Sequence, residues 1–333
     1  MTLPIKPPYP PMEALLVSDI PAGEVWEYEP KWDGFRCLAF RDGEKVELQS
    51  KSGQPLERYF PEVVDALLKL KPSKFVLDGE LVIPAGDGLS FDALLQRIHP
   101  AASRVLKLSK ETPAKFIVFD LLVDDVGKAL LDLTLAHRRP KLESFAKKYV
   151  KKNLTIELSP KTDDVAIARE WLSTTGIKLD GVIAKRLDLP YRSGERDGMH
   201  KVKRMRTADC VVGGFRYASK GKVVGSLLLG LYDSQGLLHH CGFTSSFNEA
   251  QKKELTAKLE PLIKAPGFTG NKPGGPSRWS TKRSAEWEPL ATKLVVEVQY
   301  DHFTGGRFRH GTRFLRWRPD KKPKQCLLTQ VDD

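Results

Sequence analysis

Five short stretches of this chain carry charged side chains at spacings that could serve chemistry. "EPKWDGFR" sets Lys31 between Glu29 and Arg36, beside Asp33 and Gly34, just ahead of a β-like run from Phe35 to Phe40. A lysine amine attacks as a nucleophile only when neutral, and an ordinary pKa near 10.4 keeps it protonated at pH 7. Gly34 lets the backbone turn tightly or approach a ligand closely, which puts Lys31 at the mouth of a strand-flanked pocket. "VLDGELVI" places Asp78 and Glu80 two residues apart, on one face of a strand. "DGVIAK" has Asp180 and Lys185 at either end of an apolar run, and "HKVKRMR" has Lys201 and Lys203 on one strand face. "RFLRWRPDKKPK" gathers Arg313, Arg316, Arg318, Lys321, Lys322 and Lys324 around Trp317 and one acid, Asp320. Taken singly, each stretch reads equally well as a solvated lysine, a solvent-facing turn or a nonspecific basic patch.

The elements that must position these residues are mostly strands. Lys45–Ser50, Lys74–Ile83, Lys115–Val123, Leu154–Leu158 and Asp180–Lys185 have strand composition. Helical patterns fall between them: Pro61–Leu70, with an apolar face at Val64, Leu67 and Leu68; Ser90–Ile98; Leu135–Tyr149; and Asp163–Gly176. Strands and helices do not alternate regularly, so the pattern predicts an α+β layout and not a doubly wound sheet. After about residue 206 the texture changes to short strands between glycine-rich turns ("CVVGGFRYAS", "KVVGSLLLGLYD", "GLLHHCGFT"). One helix, Asn248–Leu259, follows, then the loop "GFTGNKPGGPS" and the strands of "ATKLVVEVQYD" and "RFLRWRP". That series fits a small barrel, and an OB-fold is a common barrel of this kind on nucleic acid. The domains expected are 1–205 and 206–333.

With 333 residues, 41% hydrophobic and 29% charged, the chain is long enough for two domains with real cores. Its net charge of +12 suits a polyanionic partner, nucleic acid or an anionic membrane surface. No apolar run reaches the ~18 residues of a membrane span, and "MTLPIKPPYPPMEALL" offers no continuous apolar segment for a signal peptide. The four cysteines, Cys37, Cys210, Cys241 and Cys326, form no C-x-x-C pair. They are expected to be reduced and partly buried, in a cytoplasmic protein.

Together and in order, the charged stretches resemble the covalent nucleotidyltransferase superfamily of DNA ligases, RNA ligases and mRNA capping enzymes. "KWDGFR" is similar to its nucleophile motif K-x-D-G-x-R. "SKSGQPLERYFPE" is similar to the next motif, "LDGEL" to the third, "FIVFD" to the aromatic element after it, "DGVIAK" to the fourth, "KVK" to the fifth and "RFLRWRPDKKP" to the sixth. The series runs from Glu29 to Lys322, nearly the whole chain, and its context is most similar to the bacterial ATP-dependent ligases of the C type. Two departures stand out: Lys51 occupies the place of the usual arginine and loses bidentate geometry, and Asp180 stands where glutamate is usual.

The resemblance implies an ATP-grasp-like adenylation domain of antiparallel sheets and helices, followed by an OB-fold β-barrel. It implies that Lys31 attacks the α-phosphate of ATP, and that burial together with Lys201 and Lys203 favours the neutral amine. It also implies Glu80 and Asp180 as ligands of Mg²⁺, with Mn²⁺ able to substitute. Phe119 and Ile183 would sandwich adenine, Glu29 would accept from its amino group, and Arg36 and Lys51 would hold sugar or phosphate. Glu80 would also bond the ribose. Arg316, Asp320 and Lys321 would close over ATP by a swing near Arg206. The expected activity is sealing of nicked duplex DNA in repair by a monomeric, cytoplasmic, nucleoid-associated bacterial enzyme, with other repair proteins as further partners. Two alternatives remain open on the motifs alone: an RNA ligase or capping guanylyltransferase, and a noncatalytic nucleic-acid-binding OB protein.

Overall fold

The computed structural model describes residues 2–86, 88–150, 153–173, 179–219, 221–274 and 286–331. The chain divides into two compact units, Met1–Arg204 and Met205–Asp333.

The first unit contains β1 (Leu15–Leu16), β2 (Trp26–Lys31), β3 (Phe35–Asp42), β4 (Lys45–Ser50), α1 (Pro61–Leu68), β5 (Lys74–Val82) and the small hairpin β6 (Pro84–Ala85) and β7 (Gly88–Leu89). It continues through α2 (Phe91–Arg97), α3 (Ala102–Glu111), β8 (Lys115–Val123), α4 (Leu135–Phe145), β9 (Ile156–Leu158), α5 (Val165–Ser173), β10 (Gly181–Arg186) and β11 (Met199–Lys203). Two sheets result, ordered β4-β3-β5-β8-β9 and β1-β11-β10-β2. Their pairs are antiparallel except β8 with β9 and β1 with β11.

Alternation along the strands decides what each sheet face meets. One face of the larger sheet, with Cys37, Phe75, Leu77, Phe116 and Val118, is covered by apolar residues of α1 and α4. Its other face, with Leu38, Phe40, Val76 and Leu122, meets Ile183 and Met199 of the smaller sheet and the N-terminal residues Leu3, Ile5 and Met12. The far face of the smaller sheet, Trp26, Tyr28, Val182 and Ala184, packs on Ala168 and Trp171 of α5. The helices are held by particular side chains. Pro61 opens α1, where a missing amide hydrogen costs nothing, and the Ser90 hydroxyl caps α2 by accepting from the Ala93 amide at 3.1 Å. Arg97, wholly buried, donates twice to Glu62 at 2.8 Å and so ties α2 to α1.

The second unit has β12 (Arg206–Tyr217), β13 (Val224–Tyr232), β14 (Leu238–Thr244), α6 (Glu249–Leu259), β15 (Glu288–Pro289), β16 (Val295–Tyr300), β17 (Phe303–Thr304), β18 (Arg307–Phe308) and β19 (Arg313–Trp317). Its main sheet is ordered β14-β13-β12-β16-β19, with β15 beside β12. A bridge from Thr244 to Thr312, whose amide donates to the Phe243 carbonyl at 3.1 Å, joins the two edges of that sheet. The sheet curls around Val212, Phe215, Leu229, Cys241, Phe268 and Val298. Asn248 and Gln251 form a reciprocal capping box at the start of α6.

Several local expectations shift. In α1 it is Val63, with Ala66 and Leu67, that is fully buried, while Val64 and Leu68 are half-buried. The helix expected to reach Tyr149 gives way at Phe145 to a π-helical turn, Ala146–Val150. The strand expected from Leu154 starts at Ile156, because Leu154 is 87% exposed. The last turn of the Asp163–Gly176 helix and the end of the "GFTGNKPGGPS" loop lie outside the described residues. All four cysteines are free and buried, and among the described residues no helix is long and apolar enough to cross a membrane.

Candidate active site

The register of the smaller sheet brings the separated motifs together. Gly181 of β10 lies opposite Lys31 of β2 on one side and Lys203 of β11 on the other. Two residues along, Ile183 lies opposite Glu29 and Lys201. Directly paired residues point to the same face, so Glu29, Lys31, Ile183, Lys185, Lys201 and Lys203 share one face, and it is the face turned towards the larger sheet. Gly181 permits the row to close: its φ is +152°, and a Cβ there would sit 2.0 Å from the Val202 carbonyl oxygen. Gly34 serves the other side, where a Cβ would meet the Leu81 oxygen at 2.2 Å and Glu80 Cγ at 2.8 Å. The glycine after Lys31 therefore lets the chain run close against β5, where Glu80 stands.

The result is a cleft of about 190 Å³ inside the first unit. Its lining includes Glu29, Lys31, Arg36, Lys51, Glu80, Phe119, Ile183, Lys185 and Lys201. Lys203 stands in Lys31's row, beyond Gly181.

Most of the charges in the cleft are held by a definable partner. The Lys31 ammonium pairs with the carboxylate of Asp180, the residue just before β10, and the Asp180 amide donates to the Lys31 carbonyl at 3.1 Å. Arg36 donates through Nε and Nη2 to Asp78, both at 2.6 Å, and its guanidinium lies 4.6 Å from the centre of the Phe119 ring. Asp78 also accepts from the Tyr191 hydroxyl at 2.7 Å, so the first acid of "DGE" is a buried anchor for Arg36. Lys51 pairs with Glu13 at 3.0 Å, and that hydrogen bond is the main cause holding the Glu13 carboxyl below its ordinary range.

Glu80 differs. Half-buried, it makes no hydrogen bond or salt bridge among the described residues. Burial pushes its pKa up to about 7, with Arg36 and Lys31 opposing and Asp78 reinforcing the rise. Lys201 is held below the ordinary lysine value, first by burial and then by the charges of Lys31, Lys51 and Lys203. A depressed Lys201 and an elevated Glu80 lining one cleft with Lys31 are the kind of perturbation that marks a candidate functional site.

The structure also brings in Arg139, which the motifs did not single out, and gives Lys185 of "DGVIAK" a partner. Arg139 of α4 is 3% exposed and donates to Glu29 at 3.1 Å and to the Ser159 carbonyl at 2.6 Å. Lys185 donates to the same Glu29 oxygen at 2.6 Å and lies 4.6 Å from the Phe119 ring centre. The signal in the sequence was the pair Arg138-Arg139 at the centre of a helix with no continuous apolar stripe.

In the second unit, Arg316 of β19 is opposite Glu297 and pairs with it at 2.6 Å. Asp320 accepts from Arg318 at 2.8 Å, and Lys321 reaches the buried Asp209 at 2.5 Å, where Arg318 also donates at 2.8 Å.

Both units are similar to parts of known proteins. Residues 13–203 match the family model described as the ATP dependent DNA ligase domain, and residues 220–321 match the ATP dependent DNA ligase C terminal region. Over 346 residues, 100% of this chain and 96% of the relative, the sequence is 45% identical to DNA ligase C1 of Mycolicibacterium smegmatis. It is 41% identical to DNA ligase C of Mycobacterium tuberculosis over 350 residues, again covering 100% and 96%. A solved chain described in a structure–function study of Lig E DNA ligases has a similar fold, with a TM-score of 0.55 at 19% identity, covering 92% of this chain and 100% of that one.

Proposed function

Because the chain belongs to the ATP-dependent DNA ligase family, we propose that it seals nicks in duplex DNA, with Lys31 as the nucleophile that carries AMP. The observation that supports this most is the shared sheet face, which carries Lys31, Lys201 and Lys203, with Lys31 and Lys201 lining one cleft with Glu80. In the first step Lys31 Nζ, free of its proton, attacks the α-phosphorus of ATP. The bond from that phosphorus to the β-phosphate oxygen breaks, pyrophosphate leaves, and a P–N bond remains. In the second step a 5′-phosphate oxygen at the nick takes the AMP and the lysine is regenerated. In the third the 3′-hydroxyl attacks the activated phosphorus and AMP departs. No further protein nucleophile is required, and the protein's task in these steps is in-line positioning and charge stabilisation.

Lys201 and Lys203 are assigned to the α-phosphate, and Arg36 and Lys51 to sugar or phosphate. Phe119 and Ile183 flank the base, and Glu29 accepts from its amino group. Arg316 and Lys321 are assigned to the triphosphate on the motif resemblance. The donors also fit a divalent cation. Glu80 and Asp180 are hard oxygen ligands, and Glu80 presents an unengaged carboxylate to the cleft. These two would hold Mg²⁺, or Mn²⁺ in its place, which supplies charge neutralisation for the phosphates. Asp180 must then exchange its bond to Lys31 for that role, releasing the amine.

The basic balance of the chain, +12, supports a DNA partner through phosphate contacts, and the working form is read as a monomer at the nucleoid. The test is Lys31→Ala incubated with ATP labelled at the α-phosphate. No label should be retained, while sealing of a nick already carrying AMP persists. Acid-labile AMP on the variant would remove Lys31 from its role.

A further inference from the structure

Glu29 is a carboxylate buried to 2% exposure at the edge of a cleft meant for a purine base. Burial alone drives such a group towards its neutral form, and burial is the leading influence on it here. A neutral carboxyl both donates and accepts and so discriminates poorly between bases, whereas an ionised one only accepts.

We infer that Arg139 and Lys185 are positioning residues for base selection, clamping one oxygen of Glu29 so that the other accepts from the exocyclic amine of adenine. This rests on the reading of Glu29 given above.

The geometry is asymmetric in the manner this role needs. Both cations donate to Oε1, Lys185 at 2.6 Å and Arg139 at 3.1 Å. Oε2 accepts no hydrogen bond among the described residues, and Glu29 lines the cleft. The two cations are fixed by anchors of their own. Arg139 donates to the Ser159 carbonyl at 2.6 Å and to Glu143 at 3.0 Å, and Lys185 reaches the Phe119 carbonyl at 3.4 Å. Neither can follow the carboxylate if it rotates, so the direction of Oε2 is set by α4 and β10 together. Glu27, two residues earlier, is served separately by Lys161 at 2.7 Å and does not compete for the clamp. An adenine amine donates to such an oxygen. The six-position carbonyl of guanine presents an acceptor to an acceptor, a mismatch that a site built for hydrogen bonding rejects strongly.

The experiment measures self-adenylation of the full chain with ATP and with purine riboside triphosphate, which lacks only the six-amino group. In the unmodified protein kcat/KM should fall about 10-fold or more on removing that amine, as for a hydrogen bond to a charged group. In Arg139→Met and in Lys185→Met the ratio between the two nucleotides should shrink several-fold, and Arg139→Lys should restore part of it. Glu29→Gln serves as the reference. If Glu29→Gln leaves the ratio unchanged, the reading of Glu29 fails and the inference fails with it. If Glu29→Gln collapses the ratio but Arg139→Met and Lys185→Met slow both nucleotides equally, the two cations are merely structural and the inference alone is overturned. Should Arg139→Met not fold, as judged by thermal unfolding, Lys185→Met and Arg139→Lys decide the matter on the same ratio.

Discussion

Replacing Glu80 by glutamine should weaken the enzyme and strengthen the fold, and the two effects separate by pH. Glu80 titrates at about 7 in the folded protein against an ordinary 4.5, chiefly because it is buried. An acid raised in this way stabilises the fold through its protonated form. That contribution is complete below pH 4.5 and is lost as pH rises through about 7. The gap of roughly 2.5 pH units, at about 1.4 kcal/mol each, sets a ceiling of about 3.5 kcal/mol on the destabilisation carried at pH 8. Glutamine keeps the shape and has no proton to lose. The ligand-free Glu80→Gln protein should therefore match its parent at pH 4.5 and exceed it at pH 8. For a unit of this size each kcal/mol is worth about 2–4 °C, so the gap in Tm should open to at most roughly 7–14 °C. Thermal unfolding of both proteins across pH 4.5–8 reads it directly. Added Mg²⁺ should raise the parent's Tm at pH 8 more than the variant's, while self-adenylation is slowed in the variant at every pH. A gap in Tm that is the same at pH 4.5 and pH 8 would refute the argument, because it would show that Glu80 is not held above its unfolded pKa.

Asp180→Ala should slow turnover at every Mg²⁺ concentration and Asp180→Glu should retain more activity; nick sealing at the unmodified rate by the alanine variant would take Asp180 out of the ligand set. Gly181→Ala forces a Cβ to within 2.0 Å of the Val202 oxygen at a φ of +152°, so it should cost about 3 kcal/mol or more of stability by thermal unfolding. Phe119→Ala should raise the ATP concentration needed for self-adenylation more than it slows sealing of a pre-adenylated nick; equal effects would deny it a role in base binding. For the second unit, truncation at Arg316 would remove Cys326 and Val331 from the core, so Asp320→Ala and Lys321→Ala are the better probes. Both should reduce lysyl-AMP formation while sparing the sealing of a nick that already carries AMP, and the opposite pattern would make this segment a DNA-binding patch.

The strands at Lys45–Ser50 and Lys115–Val123 were legible because their composition and spacing are local properties, and the structure has them at those bounds. β2 was not, although it carries Lys31. "WEYEPK" has a proline and three charges, which argue against a buried strand, yet Glu27 and Glu29 are 1% and 2% exposed. Their burial is possible because Lys161, Arg139 and Lys185 arrive from other parts of the chain, and such partners are invisible along the sequence. α3 was missed for a related reason: its inward side is short, with only Val105 and Ser109 fully buried among exposed lysines. The motifs gave the chemical types of the site residues but not their attachments. That Asp78 anchors Arg36 while Glu80 stands open follows from the bonds of Arg36 and Tyr191 to Asp78, which no spacing rule contains.

The pairing of β10 with both its neighbours makes the site tolerant of one kind of sequence change and not of another. Exchange of Val182 or Ala184 for residues of similar volume alters packing on α5 and leaves the opposite face as it was. Insertion or deletion of a single residue within Gly181–Arg186 would invert every later side chain, turning Ile183 and Lys185 towards α5 and an apolar pair into the cleft. Drift in this segment therefore has to proceed by substitution at constant length, and length changes are confined to the connections on either side of it.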